Sequence, residues 1–248
     1  MILRVATYNI HKGFSHFNRR MMVHELRDNL RLLGSDIVFL QEVQGRHERH
    51  AARFDDWPVE PQYEFLADSV WSDTAYGRNA IYDHGHHGNA ILSRFPIVSS
   101  ENQDVSTHFL ERRGLLHCEL GVPGFANPLH CICVHMAVNE HGRRHQVGAL
   151  IERLHRLVPA DAPVIVAGDF NDWRNLAGSR LADALGLKEA FRDQRGRPAR
   201  SFPSAFPLFR LDRIYVRGFT VRRAEVHHGF PWSRISDHAA LSAQLEPR

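Results

Sequence analysis

The runs Ile37-Val38-Phe39-Leu40 and Val164-Ile165-Val166-Ala167 leave no polar face. A strand sends successive side chains to opposite sides, so a strand that is apolar throughout must be covered on both. Further strands are expected at Leu3–Tyr8, Asn89–Ser93, Leu115–Leu120, His130–His135, Leu211–Val216 and Ala239–Leu245, several bounded by turn residues. Helical spacing places Met22, Leu26, Leu30 and Leu33 on one face, with Gly34 as the stop, and repeats in Val147, Leu150, Ile151, Leu154 and Val158 before Pro159. A third, shorter helix is expected from Leu181 to Leu187. The strands fall into two groups, each containing a helix. Two sheets packed face to face, with helices outside, bury every apolar face, which predicts a four-layer αββα sandwich of the α/β class. A doubly wound parallel sheet is the rival, but 115–120 followed by 130–135 with no helix between counts against it. With no linker, low-complexity tract or short repeat, residues 1–248 are expected to form a single catalytic domain of ordinary size for one large core.

Seven segments, most ending apolar runs of this kind, carry polar residues suited to a divalent metal and a phosphate: Asn9, Glu42, Asn89, His135, Asp169 with Asn171, Asp212, and Asp237-His238. Glu42 follows Ile-Val-Phe-Leu-Gln, so a carboxylate emerges where a buried strand meets solvent. A hard cation such as Mg²⁺ takes one or two carboxylates plus water and phosphate oxygens. Glu42 is therefore the leading metal ligand, with Asn9 supplying an amide oxygen or fixing the carboxylate. In Gly168-Asp169-Phe170-Asn171 two polar side chains stand two residues apart just past a strand. Asp169 can orient or deprotonate an attacking water, and Asn171 can donate to a phosphoryl oxygen; an Asx turn closing the strand is the plainer alternative. His238, next to Asp237, can be held charged and aimed at phosphate, with Asp212 fixing its tautomer. Whether it acts as base or stabiliser stays open at this point. His135 can protonate a leaving oxygen or bind a non-bridging one.

Composition narrows the partners. A net charge of +3 and a pI near 9.0 favour anionic ligands without specifying nucleic acid. No stretch reaches the roughly 20 apolar residues of a membrane span, and the N-terminus runs straight into a strand without signal-peptide character, so a cytoplasmic location is expected. No obligate protein partner is implied. Cys118, Cys131 and Cys133 are expected as buried, reduced thiols. Asp83-His84-Gly85-His86-His87 is expected to be a flexible loop rather than a zinc site. Phe202, Phe206 and Phe209, with Trp57, Trp71 and Trp232, suit either core or a lipid or small-organophosphate pocket.

As an ordered set, Thr7-Tyr8-Asn9-Ile10-His11, Gln41-Glu42, Gly88-Asn89 with Ala-Ile-Leu-Ser-Arg-Phe-Pro, Val134-His135, Gly168-Asp169-Phe170-Asn171, Leu211-Asp212-Arg213-Ile214 and Ser236-Asp237-His238 resemble the endonuclease/exonuclease/phosphatase family, whose fold is DNase I-like. The resemblance spans Asn9 to His238. It implies Mg²⁺- or Mn²⁺-dependent hydrolysis of a phosphodiester or phosphomonoester by in-line attack of water. By position it implies Glu42, Asn9 and Asp237 at the metal, and Asp169 at the water. It puts Asn171, His135 and His238 at the phosphoryl group, and Asp212 orienting His238. It also points to Arg113 and His11 as substrate contacts, with Asn89 in the binding region and more in keeping with a scaffold amide. The implied substrate is a phosphate ester: nucleic acid, phospholipid or small organophosphate. A nuclease and a phospholipid-directed phosphodiesterase are the alternatives, and a non-catalytic binding module the remote one. The histidine at position 135, where abasic-site endonucleases carry a tyrosine loop, weighs against abasic-site specificity.

Overall fold

Along the chain the elements run β1 (Leu3–Asn9), α1 (Val23–Leu32), β2 (Ile37–His47), α2 (Glu48–Arg53), α3 (Gln62–Ala67), β3 (Asp73–Tyr82), β4 (Gly85–Ser93) and β5 (Ile97–Asp104). They continue with β6 (Gly114–Leu120), β7 (Leu129–His135), α4 (Glu140–Leu157), β8 (Val164–Asp169), α5 (Ala177–Leu185), β9 (Lys188–Glu189) and α6 (Ala190–Arg195). The chain closes with β10 (Asp212–Arg217), β11 (Phe219–His227), α7 (Trp232–Ile235) and β12 (Ala240–Pro247). This computed structural model describes residues 1–16 and 19–248.

The strands form two mixed six-stranded sheets, ordered β11-β12-β1-β2-β4-β3 and β5-β6-β7-β8-β10-β9. Each contains one parallel pair, β1 with β2 and β7 with β8, and the chain crosses between those partners through α1 and α4. Parallel neighbours need such a crossover; the antiparallel neighbours do not. The expected αββα sandwich is the observed architecture.

Strand alternation sorts the apolar residues into three cores. Leu3, Val5, Ile37, Phe39, Cys131, Cys133, Ile165, Ala167, Ile214 and Val216 face inward between the sheets. Ala6, Tyr8, Val38 and Leu40 face outward under Leu26 and Leu30 of α1. Ile132, Val134, Val164 and Val166 face outward under Val147, Leu150 and Leu154 of α4. The three cysteines are free and buried.

Four strands went unforeseen, namely β3, β5, β9 and β11, together with the short helices α2, α3, α6 and α7. The third expected helix lies slightly earlier than Leu181–Leu187, ending at Leu185 because Gly186 turns left-handed at φ +64°. The second starts well before Val147, capped by Asn139, whose side chain accepts the Gly142 N–H at 2.7 Å. The expected loop at 83–87 is corrected: Asp83 and His84 form a two-residue turn joining β3 to β4, and His86 and His87 already belong to β4. A two-residue turn and a β-ladder from Gly85 onward leave no longer loop there.

Candidate active site at one end of the sandwich

The inward-facing rows end in polar residues at the same end of both sheets. Leu3, Val5 and Thr7 lead to Asn9; Cys131 and Cys133 to His135; Ile165 and Ala167 to Asp169. β10 runs the other way, so its first residue, Asp212, pairs in register with Asp169. Thus the period-two alternation that builds the inter-sheet core also delivers its polar rim. Glu42 arrives differently: the register between β2 and β4 shifts between Leu40 and Val43, and Glu42 takes φ +57°. Such a bulge re-aims a side chain at a strand end. His11, Lys12 and Asn171 also have left-handed φ, and such strain collects where surrounding contacts force a geometry.

Asn9 joins the two sheets. Its Nδ2 donates to Asp169 Oδ2 at 3.1 Å and to Glu42 Oε1 at 3.4 Å, while its Oδ1 accepts the His11 N–H at 3.1 Å. Asp169 is further held by the Asn171 N–H on Oδ1 at 2.9 Å. Its Oδ2 lies 3.6 Å from His135 Nε2 and 3.8 Å from His238 Nε2. Neither distance is that of a hydrogen bond. His238 Nδ1 is 2.9 Å from Asp212 Oδ2, and its backbone N–H donates to Ser236 Oγ at 3.2 Å. Ser236 Oγ itself donates to the Asn9 carbonyl at 2.7 Å, so the β12 approach and the end of β1 are locked together. At the outer edge, Asp237 Oδ1 lies 3.4 Å from His11 Nδ1, and Lys12 Nζ lies 3.8 Å from Glu42 Oε2.

Burial and charge set the protonation states. Burial raises the Asp169 carboxyl, and Asp212 raises it further, against the nearby His238 and the hydrogen bonds from Asn171 and Asn9. Burial alone would lower His238, but Asp212 and Asp169 outweigh it and push the imidazole up to about 10. His135 is held far below its ordinary value by burial and by Arg113. Burial raises Glu42, yet Lys12, His11 and His238 together leave it below its ordinary value. The result is a charged imidazolium, a neutral imidazole and an ionised glutamate around one buried aspartate whose carboxyl is raised.

For a divalent cation, two sets of residues come forward. Ligand atoms of Asp169, Asp212 and His238 lie within 4.8 Å of one another, all buried. Their chemistry fits poorly, because His238 Nδ1 is taken by Asp212 and a protonated imidazole offers no lone pair. Glu42 and Asp237 fit better: both are hard oxygen donors, partly open to solvent, and Glu42 is kept ionised. The amide nitrogen of Asn9 donates to Glu42 and to Asp169, so Asn9 orients Glu42 in this arrangement.

Three further expected residues separate. Asn89 is fully buried and donates to the Gly114 and Cys133 carbonyls at 3.0 and 3.3 Å. It ties β4 across to β6 and β7, the arrangement of a scaffold amide rather than of a substrate contact. Arg113 stands beside the site, its Nε donating to the Met136 carbonyl at 3.2 Å and its Nη2 paired with Glu111 at 3.0 Å. His11 reaches the rim. Sequence reasoning missed Lys12, Ser236 and Arg213. The last is fully buried and donates to the carbonyls of Asp212 and Asp172 at 3.0 Å each, bracing the β10 start against the loop after β8. Of these only Arg213 had a signal, a cation directly after Asp212 in a strand otherwise apolar.

Comparison with known proteins matches residues 6–238 to the endonuclease/exonuclease/phosphatase family. The chain is 50% identical over 242 residues to the uncharacterized protein YbhP of Escherichia coli K12, covering 98% of this chain and 95% of that protein. Among solved structures it is similar to the endonuclease/exonuclease/phosphatase from Bacteroides vulgatus, with TM-score 0.77 and 17% identity, covering 100% of both chains. It is also similar to D. rerio TDP2 complexed with single strand DNA product, with TM-score 0.70 and 18% identity, covering 99% of both. The chain belongs to the endonuclease/exonuclease/phosphatase family.

Proposed function

We propose that this chain, a member of a family whose hydrolases act on phosphoester bonds, is a Mg²⁺- or Mn²⁺-dependent phosphoesterase in which Asp169 accepts the proton of an attacking water. The observation that carries this reading is the placement of His238, fixed by Asp212 at 2.9 Å and facing the buried Asp169 at 3.8 Å. A carboxyl raised by burial is a competent proton acceptor near neutral pH. The imidazolium beside it has a different task. It cannot act as base while charged, so its Nε2–H holds a non-bridging phosphoryl oxygen as negative charge gathers there. Asn171 donates one amide hydrogen to the Met136 carbonyl at 2.9 Å, leaving the second for another phosphoryl oxygen. The neutral His135 donates or accepts without adding charge. Glu42 and Asp237, with Asn9 orienting Glu42, would hold the cation, which when bound neutralises charge on the phosphate.

Hydrolysis of bis-p-nitrophenyl phosphate and p-nitrophenyl phosphate, with Mg²⁺ or Mn²⁺ and with EDTA, tests the reading directly. Activity with the cation and none in EDTA is expected. Asp169→Ala and His238→Ala are each expected to lower kcat by about 100-fold or more with the circular dichroism spectrum unchanged. Full turnover in EDTA, or losses under about tenfold in both variants, would remove these groups from the chemistry.

A further inference from the structure

Exposed apolar side chains are not spread evenly over the surface. Among the described residues the exposed Phe and Trp side chains are Phe109, Trp173, Phe206, Phe209 and Phe230, and all five lie on loops at the catalytic end. Strand register fixes that placement. Residues 105–113 join β5 to β6 where Asp104 pairs with Gly114, next to the end of β7, and Phe109 and Leu110 in this loop are 71% and 78% exposed. Val138 follows β7, and Trp173 and Leu176 follow β8. Phe206, 72% exposed, and Leu208 precede β10, while Phe230, 78% exposed, precedes α7. The Gly229 N–H donates to the Ser204 carbonyl at 3.4 Å, joining the last two loops. Among the described residues the large apolar side chains exposed at the far end are aliphatic or Met, such as Met1, Leu32 and Leu157.

Positive charge accompanies the fringe. Beside Phe206 a cleft of about 570 Å³ is lined by Arg195, Arg197, Arg200 and Arg210. Its carboxylate, Glu225, is already paired with Arg223 at 2.6 Å. Among the described residues none of these four arginines pairs with a carboxylate. Burial, with Arg200 and Arg197 nearby, holds Arg210 below its ordinary value. The segment that bears Phe206 also carries Phe202, whose ring centre is 5.0 Å from that of His238.

Apolar loop tips around a catalytic mouth, with unpaired cations beside them, describe an interfacial docking surface. A protein partner capping this end would close the cleft; a surface that itself carries the phosphoester would not. Base stacking would use rings, whereas Leu110, Val138, Leu176 and Leu208 have no π face. Mixed aliphatic and aromatic tips suit acyl chains, and flanking arginines suit phosphate headgroups. We propose that the catalytic end docks onto an anionic phospholipid surface, which presents the phosphoester to His238 and Asp169. This rests on the phosphoesterase reading and specifies its substrate class.

The test is co-sedimentation of the whole chain with vesicles of phosphatidylglycerol and phosphatidylcholine, with phosphatidylcholine alone, and binding of a fluorescent single-stranded oligonucleotide. Binding is expected to the anionic vesicles. Phe206→Ser/Phe230→Ser is expected to weaken it by about 30-fold or more, given the transfer free energy of a buried ring, and Arg197→Gln/Arg200→Gln by about tenfold or more. Hydrolysis of bis-p-nitrophenyl phosphate should be unchanged in both variants, so a failure to dock is read separately from a failure to catalyse. No binding by the parent chain, or equal binding by the Phe double variant, would overturn the proposal. So would oligonucleotide binding that is lost in the same variant while vesicles are ignored.

Discussion

Asp212 shows how much of the site's chemistry depends on one carboxylate that need not touch substrate. It is fully buried, its Oδ2 is spent on His238 Nδ1, and its charge is the main influence lifting that imidazole. The same charge raises Asp169. In the proposed chemistry one residue would therefore keep His238 charged and Asp169 basic, giving two adjacent groups separate tasks. Asp212→Ala should lower kcat on a p-nitrophenyl ester by at least about tenfold while KM changes little, because the lost orientation matters most at the transition state. A change confined to KM would assign Asp212 to ground-state binding. The pairing of Asp212 with His238 was legible in the sequence, since a carboxylate and an imidazole each flanked a buried strand. The bracing of Asp212 by Arg213 was not, because only the folded register puts that guanidinium against the Asp172 carbonyl.

Elements differ sharply in how visible they were. Central strands such as β1, β2, β7 and β8 are apolar on both faces and stood out. The unforeseen β3, β5, β9 and β11 are the four edge strands of the two sheets. Edges meet solvent and carry polar or charged residues, as Ser99-Ser100-Glu101 in β5 and Arg222-Arg223 in β11 do, so their alternation is diluted. Glycine in β8 had a stronger warrant. Gly168 sits at φ +148°, and a Cβ there would come 1.9 Å from the Val134 carbonyl oxygen across the parallel pair. Gly168→Ala should cost roughly 2–4 kcal/mol; an unchanged melting temperature would show that β7 and β8 can move apart freely. The β6–α4 contact makes a pH-dependent element. Arg153 Nε donates to His117 Nδ1 at 3.2 Å, so His117 must be neutral on that side, and burial with Arg153 pushes it down to about 4. Above about pH 6.5 the ring is neutral folded or unfolded. Between there and about 4 the unfolded chain takes a proton that the folded one refuses, so stability falls with pH by on the order of 3 kcal/mol. Urea midpoints from pH 7.5 to 4.5 check this, and His117→Gln, whose amide can accept from Arg153 and donate to His130, should flatten the slope.

At the scale of the molecule, the two sheets are held by an apolar core along most of their length and by polar cross-sheet bonds at the catalytic end. Asn9 reaches Asp169 from β1 to β8, Gln41 Nε2 reaches Cys133 Sγ at 3.3 Å from β2 to β7, and Asn89 reaches the Gly114 and Cys133 carbonyls from β4. A buried carbonyl deprived of its donor costs about 1–3 kcal/mol. The ties therefore make the gap between the sheets a fixed distance where the polar groups of both, Asn9 and Asp169 among them, meet. Asn89 illustrates why a sequence match alone could not settle its place: it falls inside β4 rather than at the start of the strand, and whether its amide faces the cleft or the neighbouring sheet depends on register with a partner over forty residues away. Asn89→Ala strips the donor from two carbonyls at once and should lower the urea midpoint by an amount worth about 1–3 kcal/mol, in a single transition of unchanged steepness. Because Asn89 holds Cys133, two residues before His135, the variant should also lose turnover in proportion to how far the sheets part, with the metal requirement intact. Undiminished stability would mean the apolar core alone sets the spacing, and that the polar ties follow from it rather than maintain it.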